Sequence, residues 1–197
     1  MQTKKFFLLS VLPLLVFALL FAMPRPTTTD EDWKTPFEIS GGKKSATYDE
    51  CIAYYKKLDA QYDEIKMLDY GTTSIGKPLN LVVISKNKIY TPAEIHQNNQ
   101  RILFINNGIH PGEPDGIDAC MMLARDLMQN EEMKKVLEHV VVCIIPVYNI
   151  SGCLNRGSFS RANQNGPDDY GFRGNYQNLD LNRDFIKCDS KESETFN

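Results

Sequence analysis

The sequence predicts an α/β domain: a mixed, mostly parallel sheet with helices on both faces. Three observations carry this. Continuous apolar runs at Leu81–Ile84, Ile102–Ile105 and Val140–Pro146 read as buried strands. The second and third runs are separated by Asp115 to Met128, whose apolar residues recur with helical spacing. The first run is the second member of a hairpin-like pair of strand signals around a glycine-containing turn. Strand, helix, strand in succession is the pattern of a layered α/β domain.

In chain order, Lys4 and Lys5 precede an uncharged apolar run from Phe6 to Ala22, after which Pro24, Pro26 and three threonines follow. Cationic residues, an apolar stretch and a polar boundary are the parts of a secretory signal. Residues 1–22 are therefore expected to be a signal peptide on a secreted or periplasmic protein. The alternative is a membrane anchor through residues 6–22, although the run is short for a span and Pro13 interrupts it. Residues 23–46 read as a linker, because Pro, Thr, Gly-Gly and Lys-Lys dominate.

The domain then runs from 47 to 197. Thr47 and Glu50 form a capping-box pattern that starts a helix over Tyr48–Tyr62. A short strand is expected at 65–70, a turn at 71–78 and a strand at 79–85. Residues 86–100 are a polar connection, and its His96 is assigned no role. The strand ending at Asn106 leads through Asn107-Gly108-Ile109-His110-Pro111-Gly112-Glu113-Pro114 into the helix from Asp115, whose face of Ile117, Cys120, Met121, Ala124 and Leu127 is apolar. A second helical piece covers 131–137. Residues 149–180 form a long polar loop, a length that is uncommon without a function. A last helix starts near Ser190.

Composition narrows the partners. The chain of 197 residues has a net charge of −3, 42% hydrophobic residues and no basic block. Nucleic acid is not an expected partner, and a membrane is expected only through an uncleaved N-terminal segment. Five cysteines are widely spaced without a C-x-x-C pair. Cys120 and Cys143 lie in apolar stretches and read as buried, inert thiols.

Three places hold chemistry. His110 and Glu113 lie three residues apart on a strand-to-helix turn, where open α/β sheets place ligand sites. Imidazole and carboxylate are both zinc ligands, and a catalytic zinc takes three protein ligands and water. Arg161 lies in the polar loop, and Asn182-Arg183 follow it. An arginine fork beside an amide suits a carboxylate, and an arginine near a metal suits a developing oxyanion. Taken singly, each of these is as well explained by a surface residue or a chance H-x-x-E.

Taken together and in order, they resemble the zinc carboxypeptidase family typified by carboxypeptidase A. The matching pieces are the turn Gly71-Thr-Thr-Ser-Ile-Gly-Lys-Pro-Leu79, His110-Pro-Gly-Glu113, Pro146-Val-Tyr-Asn149 with Gly152, Arg161, and Asp180-Leu-Asn182-Arg183. The resemblance covers residues 48–197. It implies one zinc ion held by His110 and Glu113. Arg161 would polarise the scissile carbonyl, and Asn182 and Arg183 would grip the free C-terminal carboxylate of a peptide. The family's third zinc ligand, its general-base Glu and a substrate-binding Tyr would follow Arg183, and no match to them occurs before Asn197. His139 is not in the family's position for the third ligand. The expectation is thus an incomplete metallocarboxypeptidase, the N-terminal part of a catalytic domain. The alternatives are a deacylase or amidase on the same fold, and a non-catalytic peptide or cell-wall binding module.

Overall fold

The computed structural model describes residues 30–162 and 164–197. The expected signal peptide and residues 23–29 of the expected linker lie outside these. Contacts divide the chain into Met1–Asp32 and Trp33–Asn197. Of the first unit, only the beginning of a 3₁₀ turn, Asp30–Trp33, is described.

Four strands form one sheet in the order β1-β2-β4-β3: β1 Ile65–Thr72, β2 Pro78–Ile84, β3 Arg101–Asn106 and β4 Val140–Ile145. The tight turn between β1 and β2 forces an antiparallel hairpin, with Ile65 opposite Ile84 and a register shift between Asp69 and Thr72. Gly76, at φ +77°, takes the left-handed conformation in that turn. β2 is antiparallel to β4, and β3 is parallel to β4 from Arg101–Val140 to Asn106–Ile145.

The mixed α/β architecture is therefore as expected, but parallel pairing does not dominate. A parallel pair needs a crossover, and the one long helical crossover among the described residues, Asp115–Gln129, joins β3 to β4.

Side chains alternate across the strands. Val82, Ile84, Val142 and Ile144 face one layer, under Cys51, Tyr55 and Leu58 of the helix Tyr48–Gln61 and Ile117, Met121 and Ala124 of the helix Asp115–Gln129. Val83, Val141 and Cys143 face the other side, against Ile95 of a short helix Pro92–Gln97. Leu79, Ile145, Tyr148 and Leu181 form a further cluster with Phe196 of the helix Lys191–Phe196. β1 and β3 are the edge strands, and Ile102, Leu103 and Phe104 of β3, expected to be buried, are about half exposed.

The capping box at Thr47 is formed in both directions, Glu50 N to Thr47 Oγ1 at 3.3 Å and Thr47 N to Glu50 Oε2 at 2.8 Å. The same T-x-x-E device starts two helices that the sequence reading left out, at Thr91–Glu94 and at Thr35–Glu38, each with Pro at the first helical position. The second lies in the stretch read as linker. That stretch also buries Trp33, 1% exposed, in the main core. A polar composition concealed one large aromatic whose burial outweighs the ordering of its neighbours. Residues 131–138 are a helical turn followed by a 3₁₀ turn rather than one helix. All five cysteines are free thiols, and burial raises the pKa of Cys120 and Cys143.

Beneath the last helix lies a buried carboxylate, Asp184. It accepts from Ser190 Oγ at 2.6 Å and from the backbone N–H groups of Asp189 and Ser190 at 2.8 and 2.9 Å. Desolvation pushes its pKa up, but these hydrogen bonds to the charged form win and hold it at about 2. A folded-state pKa below the unfolded value of about 3.9 adds stability that is present at neutral pH and lost as the carboxylate protonates. The urea midpoint should therefore fall as pH drops from about 4 towards 2, and Asp184→Asn should remove part of that slope. Parallel slopes for the two proteins would contradict this.

Candidate metal and substrate site

The parallel strands β3 and β4 deliver their C-terminal ends side by side. Tyr148 N donates to Asn107 O at 2.8 Å and Asn149 N to Gly108 O at 3.0 Å, so the loops after both strands are tied together. Gly108 has φ +64°, and a Cβ there would lie 3.1 Å from Ile117 Cδ1. Glycine thus lets the chain turn over the start of the helix. The next turn closes with Glu113 N donating to His110 O at 2.9 Å. It brings His110 Nδ1 to 3.6 Å from Glu113 Oε1.

His110 is 8% exposed, and its other nitrogen, Nε2, is 2.7 Å from Asp180 Oδ1. A carboxylate there fixes the tautomer with the proton on Nε2, leaving the Nδ1 lone pair towards Glu113. Two donors each about 2.0–2.1 Å from a common ion, at tetrahedral angles, stand roughly 3.3–3.5 Å apart. The observed pair fits a zinc ion with little adjustment. No group of three or more His, Cys, Asp or Glu side chains suited to a metal occurs among the described residues.

Cationic side chains surround the pair. Arg161 Nη1 lies 2.5 Å from Glu113 Oε1. Arg173 Nη1 lies 3.6 Å from the same oxygen, while its Nη2 is 2.9 Å from Asp180 Oδ2. Asp180 is thus shared by His110, Arg173 and the Asn182 N–H, the last at 3.0 Å. Its burial pushes the pKa up, but the hydrogen bonds from His110 and Arg173 outweigh that and hold it at about 2.

Asn182 and Arg183 occupy the 3₁₀ turn Leu181–Arg183 directly after Asp180, and both are exposed. Arg183 Nη1 donates to Asn182 O at 3.0 Å, and no ion pair to Arg183 is present among the described residues. His110, Glu113 and Arg161 therefore meet directly, and Asp180 ties the Asn182-Arg183 turn to them.

The long loop is ordered around this site by close backbone approach. Gly171 N donates to Pro111 O at 3.1 Å and Phe172 N to Gly152 O at 2.8 Å. A Cβ on Gly171 would lie 2.5 Å from Pro111 Cβ, and one on Gly152 2.6 Å from Phe172 O. Fully buried Asn149 completes the clasp: its Oδ1 accepts from Gly152 N at 2.9 Å and its Nδ2 donates to Arg173 O at 3.0 Å. The sequence reading assigned no role to Asp180, Arg173 or Asn149. The available signal was the pair of glycines around Phe172-Arg173, which is characteristic of backbone packed closely against another segment.

Known structures share this fold. A metallo-carboxypeptidase from Burkholderia cenocepacia superposes with a TM-score of 0.59 at 18% identity, over 77% of this chain and 37% of that one. One from Pseudomonas aeruginosa, in complex with (2-guanidinoethylmercapto)succinic acid, gives 0.57 at 18% identity over 77% and 36%. Bovine thrombin-activatable fibrinolysis inhibitor, in complex with tick carboxypeptidase inhibitor, gives 0.57 at 16% identity over 78% and 55%. The chain thus spans little more than a third of the length of the two bacterial structures. No curated protein sequence matches it. A family model described as zinc carboxypeptidase matches residues 51–196, well over half of the sequence, and the chain belongs to that family.

Proposed function

We propose that this chain carries the first part of the active site of a zinc-dependent metallocarboxypeptidase, which removes C-terminal residues from peptides. One observation carries the reading: His110 Nδ1 and Glu113 Oε1 stand 3.6 Å apart, while His110 Nε2 is fixed by Asp180 at 2.7 Å. An oriented imidazole beside a carboxylate is the donor set of a catalytic zinc, whose third ligand and general base this reading leaves unassigned.

His110 and Glu113 hold the ion. Bound zinc supplies Lewis acidity towards a carbonyl and lowers the pKa of water. Arg161, beside Glu113, polarises the scissile carbonyl. Asn182 and Arg183, exposed and adjacent to Asp180, receive the terminal carboxylate: the guanidinium fork binds it bidentately and the amide adds a donor. On this reading the protein is exported through residues 1–22. Among the described residues no helix is long and apolar enough to cross a membrane.

The carboxylate grip separates a carboxypeptidase from a deacylase or amidase with the same metal pair. Arg183→Ala should weaken binding of a peptide with a free C-terminus by about 10-fold or more, the scale of a lost charge-assisted hydrogen bond. Its C-terminally amidated twin should be little affected. Calorimetric titration of the full chain with both peptides reads this directly. Equal losses on the two would argue for a site that takes internal amides.

A further inference from the structure

The long polar loop departs at Gly157 and returns at Gly171, and one buried ring holds its two arms together. Gly157 N donates to Tyr170 O at 2.9 Å and Tyr170 N to Gly157 O at 3.2 Å. The residue Tyr170 is 3% exposed, and its hydroxyl proton is shared by two carbonyls, Ser158 O at 2.9 Å and Arg161 O at 3.1 Å. Ser160 Oγ donates to Gly171 O at 3.0 Å, and Gly171 N donates to Pro111 O at 3.1 Å. The arm that carries Arg161 is thereby stitched to the turn that carries His110 and Glu113.

Arg156 locks the neck of the loop from the other side. It donates to Asp169 twice, from Nε to Oδ2 at 2.9 Å and from Nη2 to the backbone O at 2.7 Å. It also reaches Ala46 O at 3.2 Å and Ser45 O at 3.3 Å, in the stretch expected to be a linker. Asp169 immediately precedes Tyr170, so the backbone that carries the ring is anchored too. The Arg161 side chain then runs over Gly112, where an added Cβ would lie 3.6 Å from Arg161 Cδ, and ends with Nη1 2.5 Å from Glu113 Oε1. A long side chain with many rotamers points where its backbone aims it. Among the described residues, the Tyr170 hydroxyl makes the one hydrogen bond to the Arg161 backbone.

We propose that Tyr170 is a positioning residue of this site: its hydroxyl fixes the backbone at Arg161 and so sets where that guanidinium stands beside Glu113. The inference rests on the metallocarboxypeptidase reading above, which gives Arg161 its task. Tyr170 acts through Arg161 and not on the substrate. Misplacing a group that meets the reacting atoms by about 1 Å can cost about 100-fold, so a single hydroxyl far from the chemistry has leverage. Arg156 carries the same effect one step further out, because it ties the neck of the loop to Ser45 and Ala46.

The test uses the full chain and the variant Tyr170→Phe, which keeps the buried ring and removes only the hydroxyl. The first readout needs no metal. In NMR spectra of isotope-labelled protein, a guanidinium held by Glu113 rotates slowly and shows separate Nη1 and Nη2 signals, assigned to Arg161 by their loss in Arg161→Lys. In Tyr170→Phe these signals should merge, while those of Arg125, held by Glu38 and Asp126 away from the loop, stay separate. The second readout is the affinity of the zinc-loaded chain for a peptide with a phosphonate in place of the scissile amide. It should fall about 10-fold, the scale of one lost hydrogen bond, with zinc affinity unchanged. Tyr54→Phe is the control, since it removes another buried hydroxyl, bonded to Trp33 O at 2.8 Å, and should change neither readout. Should Tyr170→Phe fail to fold, as read by circular dichroism, Arg156→Lys loosens the neck without touching the ring and carries the same test. Merged Arg161 signals in the parent, unchanged signals or unchanged phosphonate affinity in Tyr170→Phe, or the same changes in Tyr54→Phe would overturn the proposal. If the zinc-loaded parent binds no phosphonate, the metallocarboxypeptidase reading falls and this proposal with it. If it binds and Tyr170→Phe behaves like the parent, the proposal alone falls.

Discussion

Replacing His110 with alanine is expected to weaken zinc binding by the full chain by more than about 100-fold. Loss of an outer partner of a ligand costs about 10–100-fold, and loss of the ligand itself removes a direct bond. Asp180→Asn supplies the internal comparison. It leaves the imidazole in place but removes the charged acceptor 2.7 Å from Nε2, so its effect should lie within that 10–100-fold range. The ordering matters more than either number. If Asp180→Asn were as damaging as His110→Ala, Asp180 would itself be a ligand. If neither mattered, His110 would not hold the metal. Competition titration with a zinc-binding dye measures all three proteins under one condition.

The second large effect is on stability. Trp33→Ala should cost about 3–5 kcal/mol, the usual loss for a buried aromatic truncated to alanine. Trp33 lies edge-on to Tyr54 at 6.2 Å, is tilted against Tyr62 at 5.6 Å, and lies beneath Lys57 Nζ, 4.3 Å from the ring centroid. Its carbonyl accepts from Tyr54 OH at 2.8 Å and Arg125 Nη1 at 3.3 Å. The wedge therefore joins the start of the domain to two helices. Because this is the sequence's one tryptophan, urea unfolding of parent and variant must be compared by circular dichroism rather than fluorescence. A loss below about 1 kcal/mol would return residues 30–46 to the status of a linker.

Trp33 also marks a place where sequence reasoning stopped. Periodicity and apolar runs located β2, β3, β4 and the helix Asp115–Gln129 to within a residue or two; burial fixes the composition of β2, β4 and the helix, whereas β3, expected to be buried, lies at a sheet edge with Ile102, Leu103 and Phe104 about half exposed. The capping box at Thr47 was read correctly, while the same box at Thr91 was missed because the helix it starts is only one and a half turns long and mostly polar. Composition averages over residues, so it gave no sign that Trp33 anchors the described part of that stretch in the core. Parallel pairing was overestimated because strand direction depends on connections, which the strand sequences themselves do not encode.

The site was legible to the same degree. His110 and Glu113 stand out because both side chains come from one short turn. Arg161, Asn182 and Arg183 are proposed only through resemblance to a known order of motifs. Arg173 and Asp180 act across 63 and 70 positions of sequence from His110 and have no local spacing rule to announce them. Only the closing of the long loop, by glycines without side chains, brings them in.

Asp180 accepts from His110, Arg173 and the backbone of Asn182 with two oxygens. Positions 110, 173 and 180 consequently cannot vary as independent letters. Once Asp180 is lost, a further change at Arg173 or His110 meets a site already loosened, so the paired variants should show strong epistasis rather than added penalties. A lineage could replace either partner gradually, but the shared carboxylate is the position at which drift would loosen His110, Arg173 and the Asn182 turn together.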